Sequence, residues 1–211
     1  MALPAFDNAL NERPLVAILR GITPDEIDAA ADALVEAGFA MIEVPLNSPQ
    51  PFTSIERLVK RLPDEVVVGA GTVLDTESVQ RLADMGAKLL VTPNFDAEVL
   101  AAAVAHDMQA LIGCLTPSEA FAALKGGARA VKLFPAARMG TGYLKDIKSV
   151  LPRDARVMAV GGVNLDNMEE WVEAGIDGFG YGSHLYTPGT SADTLGQRAR
   201  ALVERWQHLH R

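Results

Sequence analysis

Sulfur cross-links are the first thing this sequence lacks: Cys114 is its one cysteine, so no intrachain disulfide can form and a small disulfide-held scaffold is excluded. Basic charge is also scarce. Nineteen Lys and Arg stand against 27 Asp and Glu, a formal charge of −8, so the overall field repels nucleic acid and anionic membrane surfaces. Any anionic ligand must therefore be held by local donors. Long apolar runs are missing too, because charges, Gly or Pro interrupt each run short of the roughly 20 residues a membrane-spanning helix needs. Nothing near Met1 shows the basic start and apolar stretch of a secretory signal, and the expectation is a soluble cytoplasmic protein. What remains is 211 residues, 49% hydrophobic, with 18 Gly and 12 Pro, enough to bury a sizeable core in one domain. No linker or low-complexity run divides residues 1–211, and residues 1–12 read as a short polar lead-in, with a helix as one form open to it.

Eight short apolar runs punctuate the chain: Leu15–Leu19, Met41–Val44, Val66–Val68, Leu89–Val91, Ala110–Ile112, Ala130–Phe134, Val157–Val160 and Gly178–Tyr181. Helical periodicity fills the gaps, as in the stripe Ile27, Ala30, Ala31, Leu34, Val35. Thr23-Pro24-Asp25-Glu26 and Thr116-Pro117-Ser118-Glu119 place a hydroxyl, a proline and a carboxylate where a helix N-terminus uses them. Gly38, Gly86, Gly127 and Gly175 end helices. Their spacing echoes one two-strand unit four times. Eight alternating units in this length predict an α/β fold, a (β/α)8 TIM barrel, rather than an open doubly wound sheet.

Strands of a parallel barrel are covered on both faces, so an ionisable residue within one is informative. Glu43 and Lys132 are such residues, each five positions after a helix-ending glycine, Gly38 and Gly127; Gly175 to Gly180 repeats the count. Alternate strands supply one interior layer. An inward register puts Glu43 and Lys132 in the same layer and leaves a gap at Gly180; an outward one leaves them snorkelling or joined as a structural ion pair. A lysine in apolar surroundings loses its proton readily and can attack a carbonyl to form a Schiff base. A nearby carboxylate can then move the protons that bond cleavage requires.

The loops after the strands bear on anion handling. Val160-Gly161-Gly162-Val163 follows the seventh strand and Tyr181-Gly182-Ser183 the eighth, where barrels of this kind often hold phosphate on backbone N–H groups; glycines also serve ordinary tight turns. Arg20, after the first strand, can clasp a carboxylate or form a surface ion pair. Gly69-Ala70-Gly71-Thr72 after the third strand either brings the Thr72 hydroxyl to the same group or simply turns the chain. His106, His184, His208 and His210 have no metal-ligand spacing, and no metal site is expected. Cys114 has no histidine partner in the sequence and reads as a buried filler; Trp171 and Trp206 fall in amphipathic helices and read as packing.

Taken together, Ile18-Leu19-Arg20-Gly21, Ile42-Glu43-Val44-Pro45-Leu46-Asn47-Ser48-Pro49, Gly69-Ala70-Gly71-Thr72-Val73, Val91-Thr92-Pro93, Val131-Lys132-Leu133-Phe134-Pro135 and Val160-Gly161-Gly162-Val163 resemble the KDPG/KHG aldolase family over residues 14–206. The resemblance implies a class I aldolase that cleaves a phosphorylated keto-deoxy sugar acid to pyruvate and glyceraldehyde 3-phosphate. It implies Lys132 as the Schiff-base lysine, Glu43 as general acid/base, Thr72 against the pyruvate carboxylate, and Gly161, Gly162, Gly182 and Ser183 around the phosphate, with no cofactor and a homotrimeric assembly. Gluconate-type members carry Arg at the position of Asn47, leaving carboxylate orientation here to Arg20, and Thr at the position of Val160. Both departures point to the galactonate-type branch, with a gluconate-type or dual-epimer enzyme as the alternative. Two more distant alternatives are a phosphosugar isomerase without a covalent intermediate and a non-catalytic phosphate-ligand sensor.

Overall fold

The computed structural model describes residues 3–210. Eight parallel strands form one closed barrel in sequence order: β1 (Leu15–Ile18), β2 (Met41–Pro45), β3 (Val67–Gly71), β4 (Leu89–Val91), β5 (Gln109–Cys114), β6 (Ala130–Leu133), β7 (Val157–Val160) and β8 (Gly178–Tyr181). Helix α1 (Pro4–Glu12) precedes β1. The helices that follow successive strands are α2 (Ile27–Ala37), α3 (Pro51–Arg61), α4 (Thr76–Asp84), α5 (Ala97–Ala105), α6 (Pro117–Lys125), α7 (Ala136–Val150), α8 (Met168–Glu173) and α9 (Ala192–Leu209). The expected (β/α)8 barrel is the fold observed.

Strand alternation separates two apolar regions. Leu15, Ala17, Ile42, Val44, Val131 and Leu133 pack outward against the helices, where α9 meets α2 and completes the ring. Val16, Ile18, Met41, Leu89, Leu111 and Met158 fill the interior. Each large side chain buried this way contributes about 1.5–3 kcal/mol through its removal from water.

Helix α1 is more than the polar lead-in expected from its composition. Its Phe6, Ala9 and Leu10 join the interior cluster at the N-terminal ends of the strands, while Asp7 pairs with Arg129 just ahead of β6. Proline at the first helical position and apolar residues at three- and four-residue spacing give it one buried face.

The helix-ending glycines behave as the spacing predicts: Gly38, Gly86, Gly127 and Gly175 have φ of 98°, 84°, 98° and 90°, a region other residues enter at a cost. Thr116 forms a complete capping box with Glu119 at the start of α6, a feature worth about 1 kcal/mol. The matching signal at Thr23 plays out differently. Thr23 N–H and Oγ1 both donate to Glu26 Oε2, at 3.1 and 2.6 Å, but Pro24–Glu26 form a turn and α2 starts only at Ile27.

Gly69, Ala70 and Gly71 also depart from expectation, because they continue β3 and do not form the turn after it. Their register is Gly69 beside Glu43 and Leu89, and Gly71 beside Pro45. A Cβ on Gly69 would lie 1.6 Å from the Leu89 carbonyl oxygen, so the strand closes here only because the residue has none.

Candidate active site

Glu43 on β2 and Lys132 on β6 lie half a barrel apart in strand order. Both face the interior, with 1% and 6% of their surface exposed. They line one small space together with Val91 of β4 and Gly180 of β8, the layer of alternate strands that the five-residue glycine spacing predicts. The expected gap at Gly180 is filled: a Cβ there would lie 2.8 Å from Val160 Cγ2 and 3.2 Å from Ile18 Cδ1. Those two side chains lean over the glycine and form the floor of the space above.

Burial dominates the electrostatics of the pair. It raises Glu43 to about 7, opposed by the positive charges of Lys132 and Arg20. It lowers Lys132, opposed by Glu43 and assisted by Arg20. Each group is thus held nearer its neutral form than it would be in water. Glu43 Oε2 is buried without a hydrogen-bond partner among the described residues, and the Lys132 ammonium lies 5.0 Å from the centre of the Phe134 ring.

Above the pair, at the C-terminal ends of the strands, opens a cleft of about 710 Å3. Ile18, Val160 and Gly180 line both the cleft and the space below. Arg20 and Thr72 lie on one wall. Arg20 donates to Asn47 Oδ1 at 2.6 Å and to Thr72 Oγ1 at 3.4 Å, so loops after β1, β2 and β3 meet at one guanidinium. Thr72 adopts φ 55°, an unfavourable conformation for a β-branched residue and one that concentrates at functional sites. No carboxylate partner for Arg20 is present among the described residues, which answers the surface ion-pair alternative.

Gly161, Gly162, Gly182 and Ser183 lie on another wall. Gly161 and Gly162 have φ of 95° and 78°, and a Cβ on Gly162 would lie 2.5 Å from that of Ala137. Among the described residues, the N–H groups of Gly162, Ser183 and His184 meet no protein acceptor. Donors unpaired within the protein along a concave wall suit an oxyanion. The chain after β8 makes a single turn, with Leu185 and Tyr186 N–H donating to the Gly182 carbonyl at 2.8 and 2.9 Å, and α9 begins further on.

Asn47 as a tether for Arg20, Gly71 against the Glu43 carboxylate, and His184 on the cleft wall were not assigned these places from sequence. The Ile42–Pro49 segment held a signal for Asn47, since a polar side chain directly after a strand carrying Glu43 is well placed to reach the site. Cys114 is buried, with its thiol pushed up to about 12 by burial, and Trp171 and Trp206 pack in the outer core, as expected.

A closed parallel barrel with an acid and a lysine buried beneath a cleft at its C-terminal face defines an enzyme of the TIM-barrel class. The chain belongs to the KDPG and KHG aldolase family, whose model matches residues 6–194; its relatives are carbon–carbon lyases. It is 48% identical to the 2-dehydro-3-deoxy-6-phosphogalactonate aldolase of Escherichia coli (strain K12) over 92% of this chain and 95% of that one. Identity to the 2-dehydro-3-deoxy-phosphogluconate aldolase of Pseudomonas aeruginosa is 35%, over 74% of this chain and 71% of the relative. A solved structure described as native KDPGal superposes with a TM-score of 0.92 at 48% identity, covering 93% of this chain and 96% of its own. Among the described residues, no helix is long and apolar enough to cross a membrane.

Proposed function

We propose that the chain cleaves 2-dehydro-3-deoxy-6-phosphogalactonate to pyruvate and D-glyceraldehyde 3-phosphate through a Schiff base on Lys132. The observation that carries this reading is the burial of Lys132 and Glu43 in one interior layer beneath the cleft. Neutral Lys132 attacks the C2 ketone, and Glu43 assists loss of water from the carbinolamine to give the iminium. Removal of the C4 hydroxyl proton sends the C3–C4 bonding electrons into the iminium, leaving an enamine on Lys132 and the aldehyde product. Protonation of the enamine at C3, relayed by Glu43, and hydrolysis of the new iminium release pyruvate and restore the lysine. Arg20 and Thr72 hold the substrate carboxylate; Gly161, Gly162, Gly182 and Ser183 hold the phosphate.

The choice of epimer rests on Val160 and Asn47 and on the higher identity to the galactonate-type relative. The test is borohydride reduction in the presence of pyruvate, followed by peptide mapping. A stable adduct on Lys132 is expected, and an unmodified Lys132 under turnover conditions defeats the covalent route. Cleavage rates on the two epimers decide between them, with the galactonate form expected to be faster. We place the protein in the cytoplasm, on the sequence near Met1 and the single cysteine, and as a homotrimer, on the family resemblance. Sedimentation equilibrium measures the assembly.

A further inference from the structure

Among the described residues, His184 is the one imidazole on the cleft wall, and the chemistry assigned to its neighbours leaves it without a role. The turn after β8 fixes its place. Leu185 and Tyr186 are buried and bond back to Gly182, which leaves Ser183 and His184 exposed beside Gly161 and Gly162. No hydrogen bond or ion pair engages the His184 ring among the described residues.

The ionisable side chains that line the cleft are Arg20, His184 and Tyr186, with no carboxylate among them. Arg20 is drawn toward Asn47 and Thr72, in the loops after β2 and β3. Tyr186 is buried, and burial pushes its phenol up to about 12, so it brings no charge. Apart from the His184 ring, the β7–β8 end of the cleft therefore offers a phosphate only neutral donors, backbone N–H groups and hydroxyls. On a chain of net charge −8, a dianion gains from a local donor able to carry positive charge.

We propose that His184 is a ligand of the substrate phosphate, donating a ring N–H to a phosphoryl oxygen. This rests on the placement of the phosphate at the β7–β8 loops. A neutral imidazole supplies one such donor and a charged one supplies two. His184 then discriminates phosphorylated from unphosphorylated aldehydes without touching the reacting carbons.

The test runs the reaction in the condensation direction, with pyruvate saturating and either D-glyceraldehyde 3-phosphate or D-glyceraldehyde as acceptor, on the wild type and on His184→Ala, His184→Asn and Ser183→Ala. In His184→Ala, kcat/KM for the phosphorylated aldehyde should fall about tenfold, the loss of one hydrogen bond to a charged group. The unphosphorylated aldehyde and borohydride trapping of pyruvate should be unaffected. His184→Asn, which keeps an N–H donor, should recover part of the loss. Equal losses on both aldehydes, or none, overturn the assignment. A selective loss in Ser183→Ala without one in His184→Ala overturns it while leaving the phosphate placement standing; a wild type with no preference for the phosphorylated aldehyde removes both.

Discussion

A methyl group on Gly71 would sit 1.9 Å from Oε2 of Glu43 and 2.4 Å from Oε1, well inside contact distance. The carboxylate occupies volume that any other residue at position 71 would claim. Glycine here serves the acid's position and not a turn, since Gly71 lies within β3 and has no positive φ.

Gly71→Ala should therefore fold, because a strand accepts alanine, but should push the carboxylate aside. A displacement of about 1 Å at a reacting group costs on the order of 10²-fold. We expect kcat to fall by roughly that factor with the circular dichroism spectrum and melting cooperativity retained. An unchanged kcat would show that the carboxylate tolerates the move.

Glu43→Gln should retain the fold and lose most turnover, on the order of 10²- to 10⁴-fold for a missing acid/base group. The pH profile gives a sharper readout. Because burial raises Glu43 to about 7, the wild-type kcat/KM should fall with decreasing pH through that value as the base becomes protonated, and the limb should vanish in the variant. Stability runs the other way. The raised carboxylate adds stability that is complete below its ordinary value of 4.5 and is lost as pH climbs through about 7. The melting temperature of the wild type relative to the variant should therefore decline across that interval.

Arg20→Lys keeps the charge but loses the planar fork that reaches Asn47 and Thr72 together. The expected outcome is a rise of about tenfold in the KM for pyruvate in the condensation assay, with a smaller change in kcat. Steady-state kinetics at varied pyruvate would reveal it. A change in kcat alone would mean that the guanidinium acts on the chemical step and not on carboxylate binding.

Val160→Thr replaces an apolar branch by a hydroxyl at a position that lines both the cleft and the space around Lys132. Cleavage of the gluconate epimer should improve relative to the galactonate epimer by about tenfold, the worth of one hydrogen bond satisfied in one configuration only. Parallel assays on the two substrates measure the ratio. An unaltered ratio would move the specificity elsewhere.

The barrel and the paired layer are legible in the sequence because both are periodic. Gly38 to Glu43, Gly127 to Lys132 and Gly175 to Gly180 are equal steps, and Gly86 to Val91 completes the set now seen in one layer. What escaped the sequence depends on contacts between elements distant along the chain. Gly180 looked like a gap, but Val160 and Ile18 fill it from the strands on either side. Gly71 read as part of a segment after β3 that either presents Thr72 or turns the chain, because its requirement comes from a carboxylate on another strand. The Arg20–Asn47 bond spans 27 residues, and no local pattern announces it. Thr23 carried a complete capping signal, yet its partner Glu26 closed a turn ahead of α2.

Phe6, Ala9 and Leu10 of α1 stopper the base of the cylinder, and this gives traffic through the molecule a direction. With the lower mouth shut, the route proposed for the reaction runs through the upper cleft, and the aldehyde above Lys132 must clear it before the pyruvate fragment can follow. Truncating that stopper would open a back exit, through which water could reach Lys132 from beneath.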